Sequence, residues 1–208
     1  MKSRGRQQKG KSSRKGQPER GRRKAIGIIA EDESDVRTLD VLIGKIAARP
    51  YLIKSFKGDG CGKIVGKCHA WSQNLHEQGC RYLLIVHDLD RARKNELFVR
   101  MRDALGASPI KTFALIIPVR EIEAWLLADH AAIKKAMKIK GSLSSIANPE
   151  AIQNPKEFLG RLIYTKSNHS RRYVNAIDNV KIAAECVPNN LLRCSSFLDL
   201  HEFVANHI

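Results

Sequence analysis

The chain has 208 residues, 43% of them hydrophobic, with 37 Lys and Arg against 21 Asp and Glu, a formal charge of +16. That length fits one domain with a small extension, and the apolar fraction is ample for a buried core. The positive excess points to a polyanionic partner, nucleic acid or an anionic membrane surface, while no segment approaches the ~20 apolar residues of a membrane span.

The charge is unevenly distributed. Residues 1–24 hold eleven Lys and Arg against one acid, Glu19, a net charge of +10; the other 26 basic and 20 acidic residues give the body +6. The only apolar side chain of the tail is Met1. Such a segment cannot bury enough surface to offset its ordering entropy, so 1–24 is expected to be a disordered basic arm that holds phosphates through salt-dependent contacts. The alternative is a solvated tail that only aids solubility. The short apolar run after it is interrupted by acids at once, which excludes a secretory signal. Five cysteines without a CxxC pair suit reduced thiols in a cytoplasm.

After the tail the elements alternate. Residues 25–30 (AIGIIA) form a short apolar run that reads as a buried strand. From Ser34 to Ala48, apolar residues at Val36, Leu39, Leu42, Ile43 and Ile46 keep helical spacing, with Asp32 or Ser34 as cap and Pro50 as the stop. Residues 51–56 read as a second strand, and the glycine-rich stretch KGDGCGKIVGK reads as a mobile loop before a helix closed by Gly79. Residues 82–86 (YLLIV) are a third strand, followed by HDLD and a basic helix over 91–105; residues 112–117 (TFALII) are a fourth, ended by Pro118. A mostly helical second half begins at Ile122. Continuous apolar strands separated by helices predict an α/β fold: a four-stranded, mainly parallel sheet over 25–147, with a helical extension over 148–208 packing on it.

Parallel sheets place their sites at the carboxyl ends of strands, and acids collect there. Glu31, Asp32, Glu33 and Asp35 follow the first strand, Asp88 and Asp90 the third, Glu121 and Glu123 the fourth. One acid at such a position is most often a helix cap. Acids after three strands repel one another unless a cation neutralises them. Asp88 and Asp90 share a direction in an extended segment, and Glu31 and Asp35 lie about one helical turn apart. Oxygen ligands of this kind suit Mg²⁺ or Mn²⁺ acting on a phosphodiester.

Glu31 after the first strand, EDESD at 31–35 and VHDLD at 86–90 resemble the Toprim domain of topoisomerases, primases and OLD-family nucleases. Asp32 stands where that pattern usually has glycine. PVREIEAWLLAD at 118–129, NPKEFL at 154–159, YTKSNH at 164–169 and CSSFLDL at 194–200 resemble small Toprim-like proteins encoded near ATPases in bacterial defence or mobile loci. The resemblance spans roughly residues 25–205. It implies a Toprim-like sheet, with Glu31 as metal ligand or general base, Asp88 and Asp90 as the metal pair, and Asp35 and Glu123 as acids completing a second metal position. Lys166 resembles a lysine near the scissile phosphate, although a surface lysine explains it equally well. An ATPase partner and a role in phage defence are further implications.

Lys63, Lys67, Arg91, Arg93 and Lys94 are candidate phosphate contacts, with a solvated face as the alternative. GDGCGKIVGK lacks the P-loop spacing and its hydroxyl, which argues against an ATPase in this chain. Cys61, Cys68, His69 and His76 fit no common zinc spacing. Trp71 and Trp125 read as core packing, with base stacking as the alternative, and His87 as a buried, hydrogen-bonded histidine, with an approach to a metal as the alternative. Together these features predict a Mg²⁺- or Mn²⁺-dependent nuclease acting on DNA or RNA in the cytoplasm. The alternatives are a non-catalytic nucleic-acid or partner-binding module and, more weakly, a phospho-receiver.

Overall fold

The computed structural model describes residues 24–58, 61–89 and 92–208. The tail over 1–23 and the positions Asp90 and Arg91 lie outside the described residues, as does the side chain of Cys61. Lys24 belongs to the first strand, so the body begins one residue before the expected boundary.

Four strands and the helices between them follow the expected order. β1 (Lys24–Ala30), α1 (Glu33–Ile46), β2 (Tyr51–Lys57), α2 (Cys61–Glu77), β3 (Tyr82–Val86), α3 (Lys94–Leu105) and β4 (Thr112–Ile116) build the α/β part. Then come α4 (Glu123–Leu127), α5 (His130–Ala136), a 3₁₀ turn at Pro149–Ala151, α6 (Pro155–Lys166), α7 (Asn175–Glu185), α8 (Pro188–Leu191) and α9 (Ser195–His207).

The strands form one sheet in the order β2-β1-β3-β4, and every pairing is parallel. All four carboxyl ends therefore lie at one edge. The chain moves from β1 out to β2 and then crosses back to β3 on the other side of β1, so the direction of winding reverses between β1 and β3. At such a reversal the flanking loops leave on opposite faces and a crevice opens between the strand ends.

Period-two alternation splits the core into two layers. Ile26, Ile28, Ala30, Leu84, Val86 and Ile116 face α1 and the helices from α4 onward. That layer is closed by Trp125, Leu159, Ile163, Ile182, Phe197 and Val204, so the C-terminal helices share one core with the sheet. Ile29, Leu83 and Ile85 face α2 and α3, packing on Ile64, Leu75, Leu97 and Met101. Gly27 lies under α2, where a Cβ would come within 2.8 Å of Leu75 Cδ1; the absent side chain lets helix and strand approach.

One expectation is corrected. The glycine-rich stretch is not a loop over its length, because α2 starts at Cys61 and includes Gly62, Lys63, Gly66 and Lys67. Glycine disfavours helix by about 1 kcal/mol. Burial of Ile64, Cys68 and Leu75 at helical spacing on the sheet outweighs it here. The basic helix after β3 also starts later than expected, at Lys94.

Candidate metal centre

The crevice between β1 and β3 opens onto carboxylates. Glu31 leaves β1 directly, and its Oε1 accepts the Asp88 N–H at 3.3 Å across the two strand ends. The same oxygen stands 3.2 Å from His87 Nδ1. His87 is buried, with Nδ1 2.8 Å from the Asp88 carbonyl oxygen. A carbonyl only accepts, so Nδ1 carries the proton. The other ring nitrogen, Nε2, is buried without a hydrogen-bond partner.

Asp35 enters from the first turn of α1. Asp32 caps that helix, accepting from Ser34 N–H at 2.7 Å and Asp35 N–H at 3.0 Å. Asp35 returns the bond by accepting the Asp32 N–H at 3.3 Å, a capping box that fixes its side chain. Asp32 has φ −140°, extended backbone that any residue adopts, so this position makes no demand for glycine.

Glu123 comes from α4 and is buried. Its Oε1 accepts from the Tyr173 hydroxyl at 3.0 Å and from Asn179 Nδ2 at 3.0 Å. The Tyr173 hydroxyl also meets Asn179 Oδ1. Burial, and then the Glu123 carboxylate, hold the Tyr173 phenol far above its ordinary range, so it stays a donor. Glu121 Oε2 accepts the Lys156 N–H at 2.8 Å in the first turn of α6, where the helix dipole favours a negative charge.

These groups are close enough to act on one another. Burial foremost, then the charges of Asp32 and Glu123, push the Asp35 carboxyl up to about 8. Asp88 is raised well above the usual carboxylate range by burial, then by Asp35, Glu31, Glu123 and Glu121. Acids following β1 and β3 and at the start of α1 and α4 thus act on one another electrostatically. Among the described residues, no three His, Cys, Asp or Glu side chains already form a group that could hold a metal. The donor chemistry nevertheless suits a hard cation. Mg²⁺ commonly takes only one or two protein carboxylates and completes its shell with water and phosphate oxygens.

Glu31 meets the Asp88 N–H, Asp35 and Glu123 lie near enough to act on the Asp88 carboxyl, and Asp90 lies outside the described residues. Lys166 is elsewhere. It occupies the last turn of α6, about 15 Å along the helix from Lys156, whose N–H meets Glu121. Lys63 and Lys67 are exposed, four residues apart on α2. Arg93 pairs with Glu96 at 3.2 Å and Lys94 with Asp199 at 3.5 Å; both are exposed. Arg91 lies outside the described residues.

Tyr173 and Asn179 are the contributions that sequence reasoning missed, whereas His87 is buried and hydrogen-bonded as expected. A further finding concerns the segments beyond β4. Trp125 Nε1–H donates to Ser196 Oγ at 2.8 Å, and the Val119 N–H donates to the same hydroxyl at 3.3 Å. Ser196 in turn donates to Glu150 Oε1 at 2.6 Å. The 118–129, 154–159 and 194–200 segments therefore brace one loop, which carries Glu121 and leads into Glu123. Arg120 in that loop has φ +71°, a left-handed conformation that costs a non-glycine residue about 1 kcal/mol and is held by this bracing. Asp129 is a support and not a ligand. It caps α5 through Ala132 N–H at 3.1 Å and accepts from Val187 N–H and Asn190 Nδ2. Burial alone would raise its pKa, yet those hydrogen bonds hold it below the usual value.

Residues 31–205 match the model of a family described as a domain of unknown function, DUF4276. No curated protein and no solved structure matches the chain.

Proposed function

The chain belongs to the DUF4276 family, and we propose that it is a divalent-metal-dependent nuclease that hydrolyses a phosphodiester of DNA or RNA at the β1–β3 crevice. The observation that carries this reading is the Glu31 carboxylate reaching the Asp88 N–H across the ends of β1 and β3, at the carboxyl edge of a parallel sheet, with Asp35 and Glu123 near enough to raise the Asp88 carboxyl. Capping explains Asp32 and Asp35 in part. It does not explain why Asp88 is enclosed among acidic neighbours, an arrangement that costs stability unless a proton or a cation relieves it.

Glu31, Asp35, Asp88 and Glu123 would hold Mg²⁺ or Mn²⁺. A bound ion would supply Lewis-acid stabilisation of charge at a phosphodiester oxygen. The protein does the positioning. His87 and the Asp88 N–H fix Glu31 Oε1, which orients the carboxylate assigned to take a proton from attacking water. Tyr173 and Asn179 hold Glu123. The motif resemblance to Toprim-like nucleases supports the same chemistry. The cysteine pattern supports the cytoplasm as compartment, and the resemblance alone supports an ATPase encoded nearby, in phage defence, as companion.

Purified full-length chain incubated with plasmid DNA and with structured RNA tests the proposal. Cutting is expected with Mg²⁺ or Mn²⁺ and not with EDTA, and it is lost in Asp88→Ala and Glu31→Ala while binding persists. A chain that binds but never cuts under either metal is instead a non-catalytic nucleic-acid module, the reading favoured by the lack of a ready three-ligand group among the described residues.

A further inference from the structure

A second charged feature lies apart from the carboxylates. The chain after α5 and the turn after α6 enclose an open cleft of about 660 Å³. Its walls carry Lys138, Lys140, Lys166 and Arg171 over an apolar floor that includes Met137 and Ile139, and no carboxylate lines it. Among the described residues Lys138, Lys140 and Lys166 make no ion pair. Unpaired lysines facing one space repel one another in water, and an anion relieves that repulsion.

The cleft is also built. Arg171 is anchored, donating through Nη2 to Asp178 Oδ1 at 3.2 Å and through Nη1 to the Met137 carbonyl at 3.4 Å. Its own N–H is held by Ser167 Oγ at 3.1 Å. Lys138, Asn168 and His169 all adopt positive φ, so the backbone on both sides turns sharply to shape the opening. These contacts set the walls without any ligand.

We infer that this cleft binds the phosphates of a nucleic-acid strand whose continuation passes to the carboxylate crevice. The covalent path between the two sites is short. Arg171 and Tyr173 lie at most about 7 Å apart along the chain, and the Tyr173 hydroxyl already touches Glu123. The segment from Arg171 to Tyr173 therefore links the wall of the cleft to a residue that holds Glu123. No aromatic face lines the cleft to stack a base, which favours contact with the backbone and indifference to sequence. The inference deepens the nuclease reading and rests on it for the direction of the strand.

The test measures anisotropy of a fluorescent single-stranded oligonucleotide with full-length protein in EDTA, so that no cutting occurs. Replacing Lys138, Lys140 and Lys166 together by Gln should weaken binding about tenfold at 0.1 M salt. It should also reduce the slope of log K against log salt by about 2, since each single-strand phosphate contact contributes about 0.7. Arginine at the same three positions should restore both values. Unchanged affinity and slope in the triple Gln variant overturn the inference even where the parent chain cuts. Displacement of the oligonucleotide by millimolar inorganic phosphate or a mononucleotide overturns it as well, and assigns the cleft to a small phosphorylated ligand. If the parent chain never cuts yet the Gln variant loses affinity, the cleft stands and the nuclease reading falls.

Discussion

At neutral pH the carboxyl of Asp35, lifted to about 8 by burial and by its acidic neighbours, keeps a proton that an ordinary aspartate has lost. The unfolded chain releases that proton near 3.8. The native state therefore binds more protons than the unfolded state between those values, and its stability falls as pH rises through the window. Asp88 acts in the same direction. Asp35→Asn keeps an acceptor for the Asp32 N–H and removes the charge. In metal-free buffer it should stabilise the fold by on the order of 2 kcal/mol at pH 8, or about 4–8 °C in Tm, and by almost nothing at pH 4. Thermal unfolding at the two pH values checks this; an equal shift at both would show that the effect is not electrostatic. Tyr173→Phe removes the hydroxyl that orients Glu123 and leaves the ring in place. Metal-dependent cutting should fall about tenfold, with a matching loss of Mn²⁺ affinity and little change in Tm. A fall in Tm with unchanged metal affinity would make Tyr173 a packing residue only.

Helix ends show which acids are structural. Cys194 provides no side-chain cap for α9. Glu150 does so from a distant turn, accepting from Ser195 N–H at 3.0 Å, Ser196 N–H at 3.1 Å and both hydroxyls. Glu150→Ala should cost about 1–2 kcal/mol in chemical denaturation. Cutting by the folded variant should also decline, because Ser196 braces the loop that carries Glu121. These arrangements explain what the sequence disclosed. Strand ends were legible where an apolar run stops abruptly, at Glu31 after β1, at His87 and Asp88 after β3 and at Pro118 after β4, and one parallel sheet sends those acids to one edge. Asp129 was not separable from Glu123 by sequence, since both sit in a single acidic-aromatic segment and only three-dimensional neighbours distinguish a cap from a ligand. Tyr173 and Asn179 gave no local signal. They reach Glu123 across about 50 positions, only because α7 packs between α1 and α5. The glycines of α2 were read as a loop because propensity is a local property, whereas burial of Ile64 and Leu75 against the sheet is not.

Taken whole, the chain has two charged regions of opposite sign on one scaffold, with a strongly basic segment ahead of it. No helix among the described residues is long and apolar enough to cross a membrane. Removing residues 1–23, which hold ten Lys and Arg, should lower the salt slope of nucleic-acid binding by several units. An unchanged slope would refute a phosphate role for that segment. The claim on which everything else depends is that the enclosed carboxylates are a cation site. Calorimetric titration of Mn²⁺ into the full chain at pH 7, repeated in two buffers of different ionisation enthalpy, tests it most directly. Saturable binding is expected, with net release of protons from the raised carboxyls and loss of binding in Asp88→Asn. Absence of saturable binding, or binding that Asp88→Asn and Glu31→Gln leave untouched, would contradict it.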